Sequence, residues 1–183
     1  NVGASKIALS LDSNVLWKIF RDVGFTEQTG VRLNGESVGR LAAPENWQDI
    51  EKATLAFGYG MSVNALQLAR AYTVFASDGL LLPVSITPTS GLPQAHRIVS
   101  KSTARAVRKM LEKVVTAGTG KAAQVPGYLV AGKTGTVHKS TRDGYAEDRY
   151  LSLFAGMIPA SEPRLIAVVL VDEPSAGGHY GGL

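Results

Sequence analysis

In several segments of residues 1–117, apolar residues recur three and four positions apart, which is the spacing of helices that bury one face. The pattern predicts helices over residues 1–9, 14–23, 49–57, 62–76 and 100–117. Gly24 and Gly79 follow two of these segments and are typical helix stops. Residues 25–47 are rich in Gly, Asn and Glu, and we expect an irregular segment with a short hairpin there. Residues 80–93 are predicted to be extended and punctuated by proline.

The sequence also predicts the N-cap of one of these helices and the inner face of another. The helix over residues 62–76 begins with Ser62 and Asn64, either of which can serve as its N-cap. The helix over residues 100–117 is amphipathic, and its spacing predicts an inner face made of Val107, Met110, Leu111, Val114 and Val115.

The last part of the chain changes to apolar runs of strand length. Residues 128–140, 150–158 and 164–171 are predicted to form three strands. A turn at residues 142–144 and a short link at residues 159–163 join them, so consecutive strands are expected to pair antiparallel. Helices followed by such strands predict an α+β fold with an antiparallel sheet flanked by helices.

Composition indicates a globular protein without disulfides, thiolate metal sites or a cysteine nucleophile. The chain has 183 residues, of which 45% are hydrophobic and 19% charged, and it contains no cysteine. Its net charge of +4 is not gathered into a basic cluster, so nucleic-acid binding is not expected. His96, His138 and His179 lack metal-ligand spacing, so surface positions are favoured over a zinc site. We expect no cofactor.

The predicted strand over residues 128–140 contains the candidate chemistry. Here Lys133, Thr134, Gly135 and Thr136 are consecutive. Side chains alternate along a strand, so Lys133 and Gly135 share one face, and the two threonines share the other. A glycine inside a strand lets another backbone approach closely. Such an edge suits an extended ligand that ends in a carboxylate, although a plain edge strand with a lysine that prevents aggregation has the same sequence.

Four stretches, taken together and in this order, resemble the transpeptidase domain of class B penicillin-binding proteins. They are Asn-Val-Gly-Ala-Ser-Lys at residues 1–6, Phe-Gly-Tyr-Gly through Leu-Gln-Leu-Ala-Arg-Ala-Tyr at residues 57–72, Lys-Thr-Gly-Thr at residues 133–136, and Asp-Glu-Pro with Tyr-Gly-Gly at residues 172–182. The likeness runs nearly end to end and is greatest to the division-specific branch of Gram-negative bacteria, penicillin-binding protein 3. It implies the fold shared by penicillin-binding proteins and serine β-lactamases.

The family's three active-site motifs are only partly present in this sequence. The third motif, Lys-Ser/Thr-Gly, begins at Lys133, and the second, Ser-x-Asn, is represented by Asn1 alone. The first motif, Ser-x-x-Lys, is absent. The resemblance implies that residues 1–183 are the second half of a transpeptidase domain, with the nucleophile segment upstream and the final helix missing. Ser62 and Asn64 have Ser-x-Asn spacing, but we interpret them as a helix cap.

The resemblance also implies a role for each motif residue. In the family, a serine attacks the penultimate D-Ala carbonyl of a peptidoglycan stem peptide, and an amine of a neighbouring stem completes the crosslink. Asn1 would hold the substrate amide, and Lys133 would add positive charge for the substrate carboxylate. Thr134 and Thr136 would bind that carboxylate, and the Thr136 N–H would form half of an oxyanion hole. The substrate would pair along the strand past Gly135, and β-lactams would acylate the same serine.

Three tyrosines match family positions that line the pocket, although ordinary half-buried packing accounts for them equally well. They are Tyr59, Tyr145 and Tyr180. His138 stands where the family often has Arg or Lys, which puts the local charge in question. His179 precedes Tyr180 at a position where a relative can carry an aromatic residue, so the hydrophobic wall is expected to be thinner.

The resemblance therefore predicts a peptidoglycan D,D-transpeptidase of septal wall synthesis. The full-length protein is expected on the periplasmic face of the inner membrane, with a glycosyltransferase and division proteins as partners. A serine β-lactamase or D,D-carboxypeptidase shares the motifs, but no loop acid suited to deacylation stands out in the sequence. A penicillin-sensing domain that is acylated but performs no synthesis is the other alternative.

Overall fold

The computed structural model describes the backbone of residues 1–88, 90–91, 94–141 and 144–175. Within these ranges the helices are α1 (Val2–Ser10), α2 (Ser13–Asp22), α3 (Asp49–Leu55), α4 (Ala65–Ala76) and α5 (Lys101–Thr116). The strands are β1 (Arg40–Leu41), β2 (Met61–Ser62), β3 (Leu80–Leu81), β4 (His96–Arg97), β5 (Ala131–Thr141), β6 (Gly144–Ile158) and β7 (Leu165–Asp172). Every helix in the described ranges is too short or too polar to cross a lipid bilayer.

Side-chain caps mark where α2 and α4 begin. The Asp12 carboxylate accepts a hydrogen bond from the Asn14 N–H at 2.8 Å at the start of α2. Asn64 and Gln67 form a reciprocal capping box at the start of α4, whereas Ser62 lies in β2. The interpretation of this Ser-x-Asn spacing as a helix cap is therefore confirmed, with Asn64 as the capping residue.

The sheet is antiparallel in the order β5-β6-β7, so β6 is central. In the register of β5 on β6, Lys133 pairs with Ala155 and Thr136 pairs with Ser152. In the register of β6 on β7, Ala155 pairs with Val168. The predicted α+β class and the antiparallel pairing of the three strands are confirmed.

Helices α4 and α5 cover one face of this sheet. The core there consists of Ala131, Met157 and Ala160, each no more than 1% exposed. Tyr72 and Phe75 of α4, Leu111 of α5 and Ile166 of β7 pack against it. Burial raises the pKa of Tyr72 to about 12, so its phenol is neutral at all physiological pH values. The two helices thus support the sheet from this face.

The predicted inner face of α5 was wrong at Met110, which is 65% exposed. Arg108 takes an inner position instead and is only 8% exposed. Its guanidinium donates a hydrogen bond to the Phe75 carbonyl at 3.0 Å, which links α5 to α4. A buried arginine with a fixed partner is not recognisable from apolar spacing alone.

The predicted short hairpin within residues 25–47 is also wrong. Strand β1 pairs with β2, which lies after α3, rather than with a neighbouring segment. Gly39 makes this approach possible because its φ is +71°, and a Cβ atom there would overlap the Ser62 carbonyl oxygen. Likewise β3, in the segment predicted to be merely extended, pairs with β4.

Candidate active site

The candidate motif lies on an edge strand of the sheet. Lys133, Thr134, Gly135 and Thr136 occupy consecutive positions of β5, and β6 pairs with only one side of that strand. The other side of β5 is the outer edge of the sheet, and we refer to it by that name. The structure thus presents all four motif residues along one edge.

The side chains of the motif alternate between the two faces, as the spacing predicts. The Thr134 hydroxyl lies 2.7 Å from the hydroxyl of Thr119, which follows α5. Lys133 is exposed, and its ammonium donates a hydrogen bond to the Thr134 carbonyl at 2.7 Å. A Cβ atom on Gly135 would lie 2.8 Å from Cγ of Leu153, so glycine is needed for close packing of β5 on β6.

One hydrogen bond defines which backbone groups point outward from β5. The His138 N–H donates to the Tyr59 hydroxyl at 3.2 Å, so it points away from β6. In an antiparallel ladder the direction of the N–H groups alternates, so those of Thr134 and Thr136 point the same way. The contact of Lys133 with the Thr134 carbonyl agrees with this direction. The Thr136 N–H therefore points toward the outer edge, which is the direction an oxyanion donor requires.

The segment after α3 holds Tyr59 against the outer edge. The Tyr59 N–H donates to the Thr54 carbonyl at 3.1 Å. The Tyr59 ring packs edge-on against the Phe57 ring, with the two ring centroids 5.9 Å apart. The flanking Gly58 and Gly60 have φ values of +96° and +84°, which other residues rarely adopt. The conformation of this segment is thus determined locally.

An ion cluster that sequence reasoning missed lies where β5 becomes irregular, between His138 and Ser140. Lys139 donates to the carboxylates of Asp172 at 2.9 Å and of Glu173 at 2.8 Å. The hydrogen bonds with Glu173 and then Asp172 raise the pKa of Lys139. No sequence signal identifies this cluster, because Lys139 is more than thirty residues from both carboxylates and meets them only through the strand register.

The other predicted site residues are Asn1, Tyr145 and Tyr180. Asn1 is exposed and takes the N-cap position of α1, whose Ser5 hydroxyl donates to the Ala53 carbonyl of α3 at 3.0 Å. The backbone of Tyr145 pairs with Ser140, but its side chain lies outside the described part of the structure. Tyr180, like His179, lies outside the described residues. The roles of these residues remain predictions.

Metal ligation has no support in the described part of the chain. There, no three His, Asp or Glu side chains are grouped so as to hold a metal ion. His138 instead packs its ring against Tyr150, with centroids 4.5 Å apart. The described groups at the outer edge are the Lys133 ammonium, the threonine hydroxyls and outward backbone N–H groups.

Comparison with known proteins identifies the family. The family model described as "Penicillin binding protein transpeptidase domain" matches residues 1–182. The chain belongs to the penicillin-binding protein transpeptidase family. The probable peptidoglycan D,D-transpeptidase PenA of Neisseria flavescens is 42% identical over 188 residues, which cover 100% of this chain and 46% of that protein.

Solved structures of the family have the same fold. The transpeptidase domain of Burkholderia pseudomallei penicillin-binding protein 3 has 45% identity and a TM-score of 0.93, and the match covers 99% of this chain and 56% of that one. Penicillin-binding protein 3 of Mycobacterium tuberculosis, solved with ampicillin, has 34% identity and a TM-score of 0.82, over 87% of this chain and 39% of that one. The chain thus spans about half or less of these relatives, and the predicted likeness to penicillin-binding protein 3 is confirmed.

Proposed function

We propose that the protein containing this chain is a peptidoglycan D,D-transpeptidase that crosslinks stem peptides ending in D-Ala-D-Ala. The observation with most weight is the outer edge of β5, where the Lys133 ammonium, the hydroxyl-bearing Thr134 and Thr136, and outward backbone groups occur together. The relatives named as transpeptidases support the same activity.

The carboxylate of the terminal D-Ala binds at this edge. Lys133 is exposed, so its ammonium can exchange the Thr134 carbonyl for a substrate carboxylate, which is the stronger partner because it is charged. The Thr134 and Thr136 hydroxyls donate to the same group. The substrate backbone then pairs with β5 as an added strand, which aligns its scissile carbonyl with the edge.

The Thr136 N–H stabilises the oxyanion that forms on that carbonyl. A serine upstream of this chain attacks the carbonyl carbon, so a C–O bond forms, the C–N bond to the terminal D-Ala breaks, and the released amine takes up a proton. An amine of a second stem peptide then attacks the ester, so that a new C–N bond forms, the C–O bond to the serine breaks, and the serine oxygen takes up the proton that the amine releases. Asn1 holds the substrate amide during these steps.

The remaining features of the proposal follow from the family. Residues 1–183 form the second half of the domain, with the nucleophile segment preceding it and a final helix following it. Tyr59, Tyr145 and Tyr180 line the pocket. β-Lactams acylate the serine, a proposal supported by the ampicillin complex of the Mycobacterium tuberculosis neighbour. The full-length protein acts on the periplasmic face of the inner membrane with a glycosyltransferase and division proteins.

The test uses the natural full-length protein and benzylpenicillin. We expect a long-lived adduct by mass spectrometry, and crosslinked product when lipid-linked substrate and a glycosyltransferase are supplied. Residues 1–183 alone should form no adduct. Rapid hydrolysis of the adduct would indicate a β-lactamase, and release of D-Ala without crosslinks would indicate a carboxypeptidase. A stable adduct without either product would indicate a penicillin sensor.

A further inference from the structure

The positions on both sides of Thr136 along the outer edge are engaged by side chains of this chain. On one side, the Thr134 carbonyl accepts a hydrogen bond from Lys133. On the other side, the His138 N–H donates to the Tyr59 hydroxyl. These three residues point their backbone groups in the same direction, because they alternate along the strand.

The engaged positions limit the registers in which an added strand can pair with β5. Outward positions of β5 are two residues, or about 7 Å, apart, and they present the same pair of backbone groups. An extended ligand that moves by two residues therefore meets an equivalent set of donors and acceptors. At His138 its carbonyl would accept a hydrogen bond as it does at Thr136, but the carbonyl would then lie about 7 Å from the position where the reaction occurs.

Tyr59 is suited to prevent this shift because it is held from three directions. Its N–H donates to Thr54, its ring packs against Phe57, and its hydroxyl accepts from His138. It meets β5 at the last residue before the irregularity at Lys139. The outer edge is thus closed at the point where its regular pairing geometry ends.

We propose that Tyr59 is a positioning residue that closes the outer edge at His138 and so restricts the acyl donor to a single register, with its carbonyl at Thr136. This inference rests on the proposed function, because it concerns how the substrate of that reaction lies on β5. Tyr59 acts on the reaction through the strand register and takes no part in the chemical steps.

A substrate that can bind in two registers should show the kinetics of non-productive binding. A ligand that also binds in a shifted register occupies the enzyme without reacting, so kcat and KM fall by the same factor and kcat/KM is unchanged. Damage to the site lowers kcat/KM instead. For Tyr59→Ala in the natural full-length protein, with a thioester acyl donor, we expect kcat and KM each to fall about twofold, because two registers with equivalent hydrogen bonds share the bound enzyme about equally. We expect kcat/KM to equal the wild-type value.

Tyr128 provides the matched control, because it is 59% exposed and lies in the segment before β5 rather than at His138. Tyr128→Ala should leave kcat and KM unchanged. A fall in kcat/KM for Tyr59→Ala, or no change in kcat and KM, would overturn the inference.

A second variant tests the contact itself and does not depend on activity. Tyr59→Phe keeps the ring and removes the hydroxyl, so the His138 amide should exchange hydrogen for deuterium about tenfold faster, and Tyr128→Phe should not change that rate. An unchanged exchange rate at His138 in Tyr59→Phe would refute the closure of the outer edge by Tyr59. This test remains valid if Tyr59→Ala does not fold. If the wild-type protein neither turns over the thioester nor reacts with penicillin, the proposed function fails, whatever the exchange rates.

Discussion

Asp78 illustrates how much of the structure around the sheet depends on single polar residues. It follows α4 in a turn, with a φ of +50°, and its carboxylate accepts two hydrogen bonds from Arg105 at 3.0 Å each. The Lys101 ammonium lies 3.1 Å away. The hydrogen bond from Arg105, followed by that from Lys101, lowers the pKa of Asp78 to about 2. Asp78 thereby fixes the turn after α4 to α5.

Replacing Asp78 should give a stability loss that depends on pH. At neutral pH, Asp78→Asn should lower the free energy of unfolding of the full-length protein by about 1 kcal/mol, because a partly exposed ion pair is lost. The folded pKa lies below the unfolded value of about 3.9, so the stabilisation is complete above that value and is lost as the pH falls toward 2. Urea unfolding from pH 7 to pH 3 measures the difference between the two proteins.

Asp22 provides the control for this prediction, because its pair with Lys18 joins neighbouring turns of one exposed helix. Asp22→Asn should change the unfolding free energy by less than about 0.5 kcal/mol. A wild-type advantage over Asp78→Asn that stayed constant down to pH 3 would contradict the assigned ion pair.

At the scale of elements, β5 depends on glycine for its contact with β6. Gly135 needs no unusual φ, but an added Cβ would lie 2.8 to 3.2 Å from three carbons of the Leu153 side chain. Either the leucine or the strand must move to accept it. Because Gly135 lies between Thr134 and Thr136, such a movement would also displace the groups proposed to bind substrate.

Gly135→Ala should therefore affect both stability and reactivity. We expect an unfolding free energy lower by about 1–3 kcal/mol from overpacking, together with slower acylation by benzylpenicillin. Gly3→Ala is the matched control: Gly3 is inside α1 with nothing within 4 Å of an added Cβ, so this change should stabilise by about 0.5–1 kcal/mol. Denaturant unfolding and penicillin labelling of the full-length variants measure both effects. Equal effects of the two substitutions on stability would contradict the packing argument.

Arg108 is the element-scale link between α4 and α5. Arg108→Met keeps the length of the side chain but removes the donor to the Phe75 carbonyl, so an acceptor loses its partner. We expect a loss of about 1–3 kcal/mol in unfolding free energy. Lys109→Met, one residue along on the exposed side of the same helix, should stay within about 0.5 kcal/mol of wild type. If Arg108→Met were as stable as Lys109→Met, the hydrogen bond from Arg108 to the Phe75 carbonyl would not contribute to the free energy of unfolding.

The ends of the helices were predictable because their capping residues lie beside them in the sequence. The ends of the strands were less predictable because they depend on pairing with other strands. Residues such as Asn64 and Gly24 mark helix ends in the sequence itself, and the helices follow them within a few positions. The ends of β5 and β6 were misplaced: β5 begins at Ala131 instead of residue 128, and β6 extends back to Gly144 instead of residue 150. Strand ends depend on the partner strand, and apolar alternation does not record the partner.

At the scale of the whole molecule, contacts connect α1 to the candidate site through α3. Ser5 of α1 bonds to Ala53 of α3, and Tyr59 after α3 bonds to His138 of β5. At the next residue of β5, Lys139 bonds to Asp172 and Glu173 at the end of β7. The outer edge is thus tied to the helical part on one side and to the opposite edge of the sheet on the other.

The candidate site was predictable in its motif but not in its surroundings. The four consecutive residues from Lys133 are visible in the sequence, and strand alternation correctly assigns their faces. The engagement of His138 by Tyr59 joins residues 79 positions apart, so it requires the folded chain. The same holds for the Thr119 hydroxyl beside Thr134. Local patterns identify chemical groups, whereas tertiary contacts determine which backbone groups remain accessible to a ligand.

The most direct test of the account is the rate constant for acylation of the natural full-length protein by benzylpenicillin, compared between wild type and Lys133→Ala. If the lysine at the edge of β5 binds the carboxylate of the ligand, the second-order rate constant should fall about 10²-fold or more. Lys121→Ala, an exposed lysine outside the sheet, should leave it unchanged. Acylation of Lys133→Ala within about twofold of the wild-type rate would contradict the central claim.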